Sequence, residues 1–187
     1  MPIAYHIVLG AYGFWLPNDP RGSWSRVVAS SELLQYGPAT KVTTLQSVAH
    51  RPLDPAWKQH AQTALKHEPA VFDAPQILAI GHGFGNAITE GKYVCFACAI
   101  LPEHVHVVIG RHARSVGQIV GHLKSAATRS LRTMRPWPAD RPVWAENCWK
   151  VFLDNAADVQ RSVAYTNENV VRAGKPPQDW PFVSDWR

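Results

Sequence analysis

Val94-Cys95-Phe96-Ala97-Cys98-Ala99-Ile100-Leu101-Pro102-Glu103-His104-Val105-His106-Val107-Val108-Ile109 holds two apolar runs of strand length around a Leu-Pro-Glu turn. A short apolar run followed by a turn and a second run predicts an antiparallel hairpin buried in a sheet. Side chains two apart on a strand point to the same face. His104 and His106 are therefore expected to project side by side from an otherwise apolar strand. Paired imidazoles suit a divalent metal, and they equally suit two hydrogen-bonded histidines at a strand end. The hairpin alone does not choose between these readings.

The neighbouring segments set the hairpin in a fold. Ala4–Ala11 has strand composition, and the segment from Gly13 to Trp24 is dense in turn formers and aromatics. Residues from about 25 to 54 show no sustained period and read as a long excursion. Pro55 suits the first position of a helix running through Trp57, Ala61, Ala64 and Leu65. Asp73 is a candidate N-cap for a helix whose stripe is Ile77, Ile80, Phe84 and Ile88, although Gly81, Gly83 and Gly85 each weaken it by about 1 kcal/mol relative to alanine. Ser115 to Met134 is the clearest helix, with Val116, Ile119, Val120, Leu123, Ala127 and Leu131 on one face. Cys148–Leu153 predicts a last strand. Asp154 or Asn155 then caps a last helix, which Gly174 stops.

The predicted order is strand, insertion, helix, strand, strand, helix, strand, helix. This is an α+β pattern: a ferredoxin-like antiparallel sheet with helices on one face and an added C-terminal helix. One domain over 1–187 is expected, with an insertion at about 25–72.

At 187 residues and 46% hydrophobic, the chain can bury one good core. Nothing resembles a signal peptide, and no apolar run approaches the ~20 residues of a membrane span. A cytoplasmic protein with no membrane partner is expected. Cys95 and Cys98 have CxxC spacing, but three apart on a strand they should face opposite sides, so small buried residues are expected rather than a metal clamp. The net charge of +5 is compatible with nucleic-acid binding without requiring it. Its distribution is more informative: between Arg111 and Arg141 seven Lys or Arg face one acid, Asp140.

Tyr165 and Asn169 stand four apart in the last helix and so share a face. If that face meets the strand carrying His104 and His106, two imidazole nitrogens and an amide oxygen would hold a metal, and the phenol would act as nucleophile on phosphorus. Taken alone, Tyr165 would read as an ordinary tyrosine on the core rim. His6 and His122 read as structural.

LPEHVHVVIG at 101–110, the basic helix after it and YTNENVVRAG at 165–174 together resemble the single-tyrosine HUH transposases, in particular the REP-associated tyrosine transposases. The opening AYHIVLGAYGFWLPNDPRGSW resembles the start of such proteins. The likeness covers the first 24 residues and about 73 to 174, and the excursion between them has no counterpart. The family's Asn-Pro-Val continuation is absent, since Asn169-Val170-Val171 lacks the proline.

The resemblance implies a metal-dependent nickase and strand transferase acting on single-stranded DNA with hairpins, usually as a homodimer, through a 5′-phosphotyrosine link. It implies Tyr165 as nucleophile, His104 and His106 as metal ligands, Asn169 as the third ligand, and Mg2+ or Mn2+ as cofactor. Lys124, Arg129 and Arg132 on the basic helix are expected to contact phosphates. Arg21, with Trp15 and Trp24, lies in an aromatic-basic loop suited to stacking bases, or to anchoring the excursion. Trp180 and Phe182 near the C-terminus are expected to pack as an arm, base stacking being the alternative. The competing function is a domesticated hairpin-DNA-binding protein of the same fold that does not transpose.

Overall fold

A computed structural model describes residues 1–16, 54–134 and 136–186. Their elements are β1 (Ala4–Ala11), α1 (Pro55–Thr63), α2 (Ala74–Gly91), β2 (Cys95–Ile100), β3 (His104–Gly110), α3 (Val116–Met134), β4 (Trp144–Leu153) and α4 (Ala156–Arg172). The chain divides into two compact units. One comprises Met1–Leu9, Val71–Arg141 and Trp149–Arg187; the other comprises Gly10–Ala70 and Pro142–Cys148.

The four strands form one sheet in the order β2-β3-β1-β4, the ferredoxin-like order expected from the sequence. β2 and β3 are the antiparallel hairpin, with Ala99 opposite His106 and Ile100 opposite Val105. Ile3, at the start of β1, donates its N–H to Leu153 at the end of β4, and its carbonyl accepts from Arg111 just past the end of β3. Start against end on both sides makes β1 antiparallel to each neighbour.

All eight residues of β1 and six of the seven in β3 are buried, so the sheet is covered on both faces. On one face Ala4, Ala97, Val108 and Leu153 form a cluster with Val159 of α4, and Phe96, Val151, Val163 and Trp186 pack around it. The opposite face is left to α2 and α3, which pack closely together. Gly83 is the reason they can. A Cβ there would stand 2.5 Å from Ala127 Cα and 2.7 Å from Ala126 O. The glycines that weaken α2 intrinsically thus belong to its packing, and the helix runs through them unbroken.

The caps follow the sequence. Asp54 accepts from Ala56 and Trp57 N–H at the start of α1. Asp73 and Gln76 form a capping box at α2. Asn155, rather than Asp154, caps α4 by accepting from Asp158 N–H. Gly174 follows α4 with φ of +67°, the left-handed conformation that ends many helices.

Three differences from expectation have physical causes. β4 begins four residues before Cys148, at Trp144. As the sheet's edge strand it has only Leu153 buried, and so it lacks the apolar pattern by which strands are recognised. Cys95 and Cys98 do not simply alternate, because a bulge between Cys95 and Ala97 inserts one residue. Both thiols are buried, and Cys98 feels Cys95 electrostatically. Burial pushes the Cys95 thiol up to about 12 and Cys98 well above its usual range, so both are unreactive thiols.

The third difference lies in what the expected C-terminal arm covers, the β2 edge, which the sequence did not specify. Gln178 Oε1 accepts from Ile100 N–H and its Nε2 donates to Ile100 O, so one side chain imitates a strand partner. Ser184 N–H donates to Cys95 O, and Val183 bridges to Cys95 in parallel. Trp180 and Phe182 stack on each other over Gly81 and Gly85 of α2, as the packed-arm reading expected. An otherwise open sheet edge is closed in this way.

In the second unit, Tyr12 N–H donates to Val143 O and Ala70 N–H to Tyr12 O. Gly13, at φ of +78°, lies against Leu65 and Pro69. Among the described residues no helix is long and apolar enough to cross a membrane.

Candidate active site

Alternation along β1 and β3 sorts their side chains. Ala4 and Val108 lie under Val159 of α4. His6, His106 and His104 follow at two-residue steps on the same face. One sheet face is thus apolar at one end and carries imidazoles toward the other.

α4 lies over that face through Val159, Val163, Thr166 and Val170, a helical stripe of which Val159, Thr166 and Val170 are buried. Tyr165 sits on the flank of this stripe, 42% exposed. Its ring centroid is 5.5 Å from that of His106 and 5.8 Å from that of His6, both edge-to-face. The rings of His104 and His106 lie 4.9 Å apart. Trp149 of β4 meets His6 edge-on at 5.6 Å. His6, Trp149 and Tyr165 line a cleft of about 420 Å³, together with Phe152, Arg161 and Ser162.

His6 and His106 are 4% and 5% exposed, and His6 Nε2 is hydrogen-bonded to His106 Nδ1 at 3.1 Å. Burial lowers the His6 pKa to about 4. Burial, then the neighbouring His104 and His6, lowers that of His106 to about 3. Both rings are neutral at physiological pH.

His104, His106 and Tyr165 are therefore brought together as the sequence predicts. Asn169 is one turn along from Tyr165, with its Nδ2 donating to the Tyr165 carbonyl at 2.7 Å. Because that nitrogen is tied to the backbone, Oδ1 is the amide atom left to act as a ligand. Lys124, Arg129 and Arg132 stand on α3, which packs with α2 rather than on the tyrosine helix. Arg129 and Arg132 are exposed, and Arg132 donates to Ala139 O. Arg21 and Trp24 lie outside the described residues. Trp15 is half-buried, 4.9 Å from Phe14 and against Gly10, an anchoring position.

His6, read as structural from the sequence, is buried and hydrogen-bonded to His106, so it stands within the imidazole cluster. The clue available was topological, because a ferredoxin-like order sets β1 beside β3 and so allows a β1 histidine to face the His104–His106 pair. His122 is structural as expected. Its Nδ1 is hydrogen-bonded to Tyr93 Oη and its Nε2 to Glu90 Oε2, joining α3 to the end of α2.

Among the described residues no group of three or more His, Cys, Asp or Glu side chains is arranged to hold a metal ion. Of the residues that the sequence singled out, Asn169 Oδ1 is the oxygen donor that would join the imidazoles if a cation bound here. Two imidazole nitrogens and one amide oxygen are a donor set that Mg2+ or Mn2+ accepts, with water or phosphate in the remaining positions.

No protein-family model matches the chain. No curated protein matches it either. Among solved structures it is similar to a REP-associated tyrosine transposase bound to a REP hairpin, with a TM-score of 0.51 and 14% identity, over 97% of this chain and 75% of that one. It is also similar to a protein assigned as a transposase, from Deinococcus radiodurans R1, with a TM-score of 0.44 and 10% identity, over 94% of this chain and 92% of that one. The first likeness establishes a shared fold.

Proposed function

We propose that this chain is a single-tyrosine HUH enzyme of the REP-associated type, which nicks hairpin-bearing single-stranded DNA and transfers the strand through a 5′-phosphotyrosine. The observation that carries the reading is the placement of a half-exposed Tyr165 edge-on to the buried His106 and His6 rings. The shared fold with a hairpin-bound tyrosine transposase supports it.

Each residue has a defined part. Tyr165 is exposed enough to meet a phosphodiester, while buried rings on two sides restrict its swing. Its phenol oxygen bonds to phosphorus and gives up its proton; the P–O3′ bond breaks, and the 3′ oxygen leaves as a hydroxyl. The reverse attack by a 3′-hydroxyl rejoins strands. His104, His106 and Asn169 Oδ1 would hold Mg2+ or Mn2+, which supplies charge neutralisation at the phosphate oxygens. Lys124, Arg129 and Arg132 are assigned to the DNA backbone, and Arg21 to DNA contact in the aromatic-basic loop. The protein acts as a homodimer in this reading.

The test is a hairpin-bearing single-stranded oligonucleotide incubated with the protein and Mn2+. A denaturation-resistant protein–DNA adduct is expected from the natural chain and none from Tyr165→Phe, with binding retained. Binding without any adduct across hairpins flanking the coding region favours the domesticated DNA-binding protein instead.

A further inference from the structure

His6 has no part in the chemistry just described, yet among the described residues it makes the one hydrogen bond to the His106 ring. That bond constrains His106 strongly. A neutral imidazole carries one ring proton, and its other nitrogen is an acceptor. One proton must lie between His6 Nε2 and His106 Nδ1. If it belongs to His106, the His106 Nε2 has a free lone pair and can bind a cation. If it belongs to His6, then neutral His106 keeps its proton on Nε2 and can only donate there.

The surrounding packing fixes the ring as well as the proton. The two rings are tilted by 31° with centroids 5.3 Å apart, held by adjacent strands. His104 and Tyr165 meet His106 edge-on from other directions. Trp149 and Tyr165 confine His6 in the same manner. The bond is buried, where loss of a partner is expensive and a hydrogen bond is stronger than in water.

We infer that His6 is a positioning residue: its Nε2 accepts the Nδ1–H of His106 and so holds His106 in the tautomer whose Nε2 is free to bind a cation. This rests on the reading of His106 as a metal ligand. A metal-binding histidine ordinarily donates its other ring N–H to a fixed acceptor, and loss of that acceptor costs about 10- to 100-fold in affinity. Here the acceptor is a second imidazole from the first strand, in place of a carboxylate or a carbonyl. His6→Gln keeps an amide acceptor within reach, whereas His6→Leu removes it.

The experiment has two arms, both on the full chain. Imidazole nitrogen NMR of chelator-treated protein at neutral pH should find His106 protonated on Nδ1. Mn2+ titration, read by direct binding, should show His6→Leu weakened at least about tenfold and His6→Gln restored most of the way. A His106 ring protonated on Nε2, or unchanged Mn2+ affinity in folded His6→Leu, overturns the inference. If His6→Leu does not fold, the tautomer in the natural chain and the His6→Gln affinity decide. If the natural chain binds no Mn2+ and forms no adduct, the functional reading fails, and the tautomer still tests the hydrogen bond by itself.

Discussion

Lowering the pH from 7 to 5 should destabilise this protein through His6 and His106, even in the absence of metal. In the folded chain their pKa values are about 4 and about 3, against 6.5 for an ordinary histidine. Depressed values mean that the unfolded chain binds protons more readily than the folded one. The stabilising effect is therefore complete above pH 6.5 and is lost as pH falls from there toward the folded values. At pH 5 the gap below 6.5 is 1.5 units, worth about 2 kcal/mol for each histidine at 1.36 kcal/mol per unit. Two such groups approach about 4 kcal/mol, a large part of the 5–15 kcal/mol typical of a domain.

The assay is urea unfolding at pH 7 and pH 5 with chelator present, comparing the natural chain with the His6→Gln/His106→Gln double variant. Glutamine keeps polar groups in place and does not titrate. The natural chain should lose about 4 kcal/mol more than the double variant over this interval. Equal losses would refute the reasoning, because they would mean that neither buried imidazole resists protonation in the fold.

Other consequences are read by simpler measurements. Gly83→Ala should destabilise by about 1–2 kcal/mol in thermal or urea unfolding, the overlap with the Ala127 backbone outweighing the gain in helix propensity. Gly121→Ala, exposed on α3 with nothing within 4 Å of the new Cβ, should instead stabilise by up to about 1 kcal/mol. Thr166 is fully buried and its hydroxyl has no partner among the described residues, so Thr166→Val should stabilise by about 1 kcal/mol in the same assay. Neutralising Lys124 and Arg129 should flatten the salt dependence of single-stranded DNA binding by roughly 1.4 in log–log slope, and an unchanged slope would place the DNA away from α3.

The fold was legible in the sequence wherever burial is nearly complete or caps are explicit. The hairpin's apolar runs, Asp73 with Gln76, and Gly174 all act locally, so their signals survive without knowledge of the partner. β4 was legible only in its second half, because an edge strand is not obliged to be apolar. The bulge at Cys95–Ala97 left no local mark, and with it the shared face of the two cysteines was hidden. The C-terminal segment was legible as a packed arm, but not the β2 edge that it covers. What Gln178 does there depends on an edge that exists only after the sheet has assembled.

The site shows the same division between local and assembled information, and the geometry explains why its halves meet. Along α4, Val159 and Tyr165 are six residues apart, about 9 Å at 1.5 Å per residue. Beneath them, the steps from Ala4 to His6 and from Val108 to His106 are two residues each, about 6.6 Å. Val159 rests on the Ala4–Val108 end of the face. The helix fixed there brings Tyr165 over the next inward-facing pair, His6 with His106. The apolar contact thus sets the register, and the register places the phenol beside the imidazoles. His104 and His106 stand out in the sequence as a spaced pair on an apolar strand, and Tyr165 stands out only together with Asn169 four residues on. His6 does not, because a histidine in a strand gains its meaning only from the strand laid beside it.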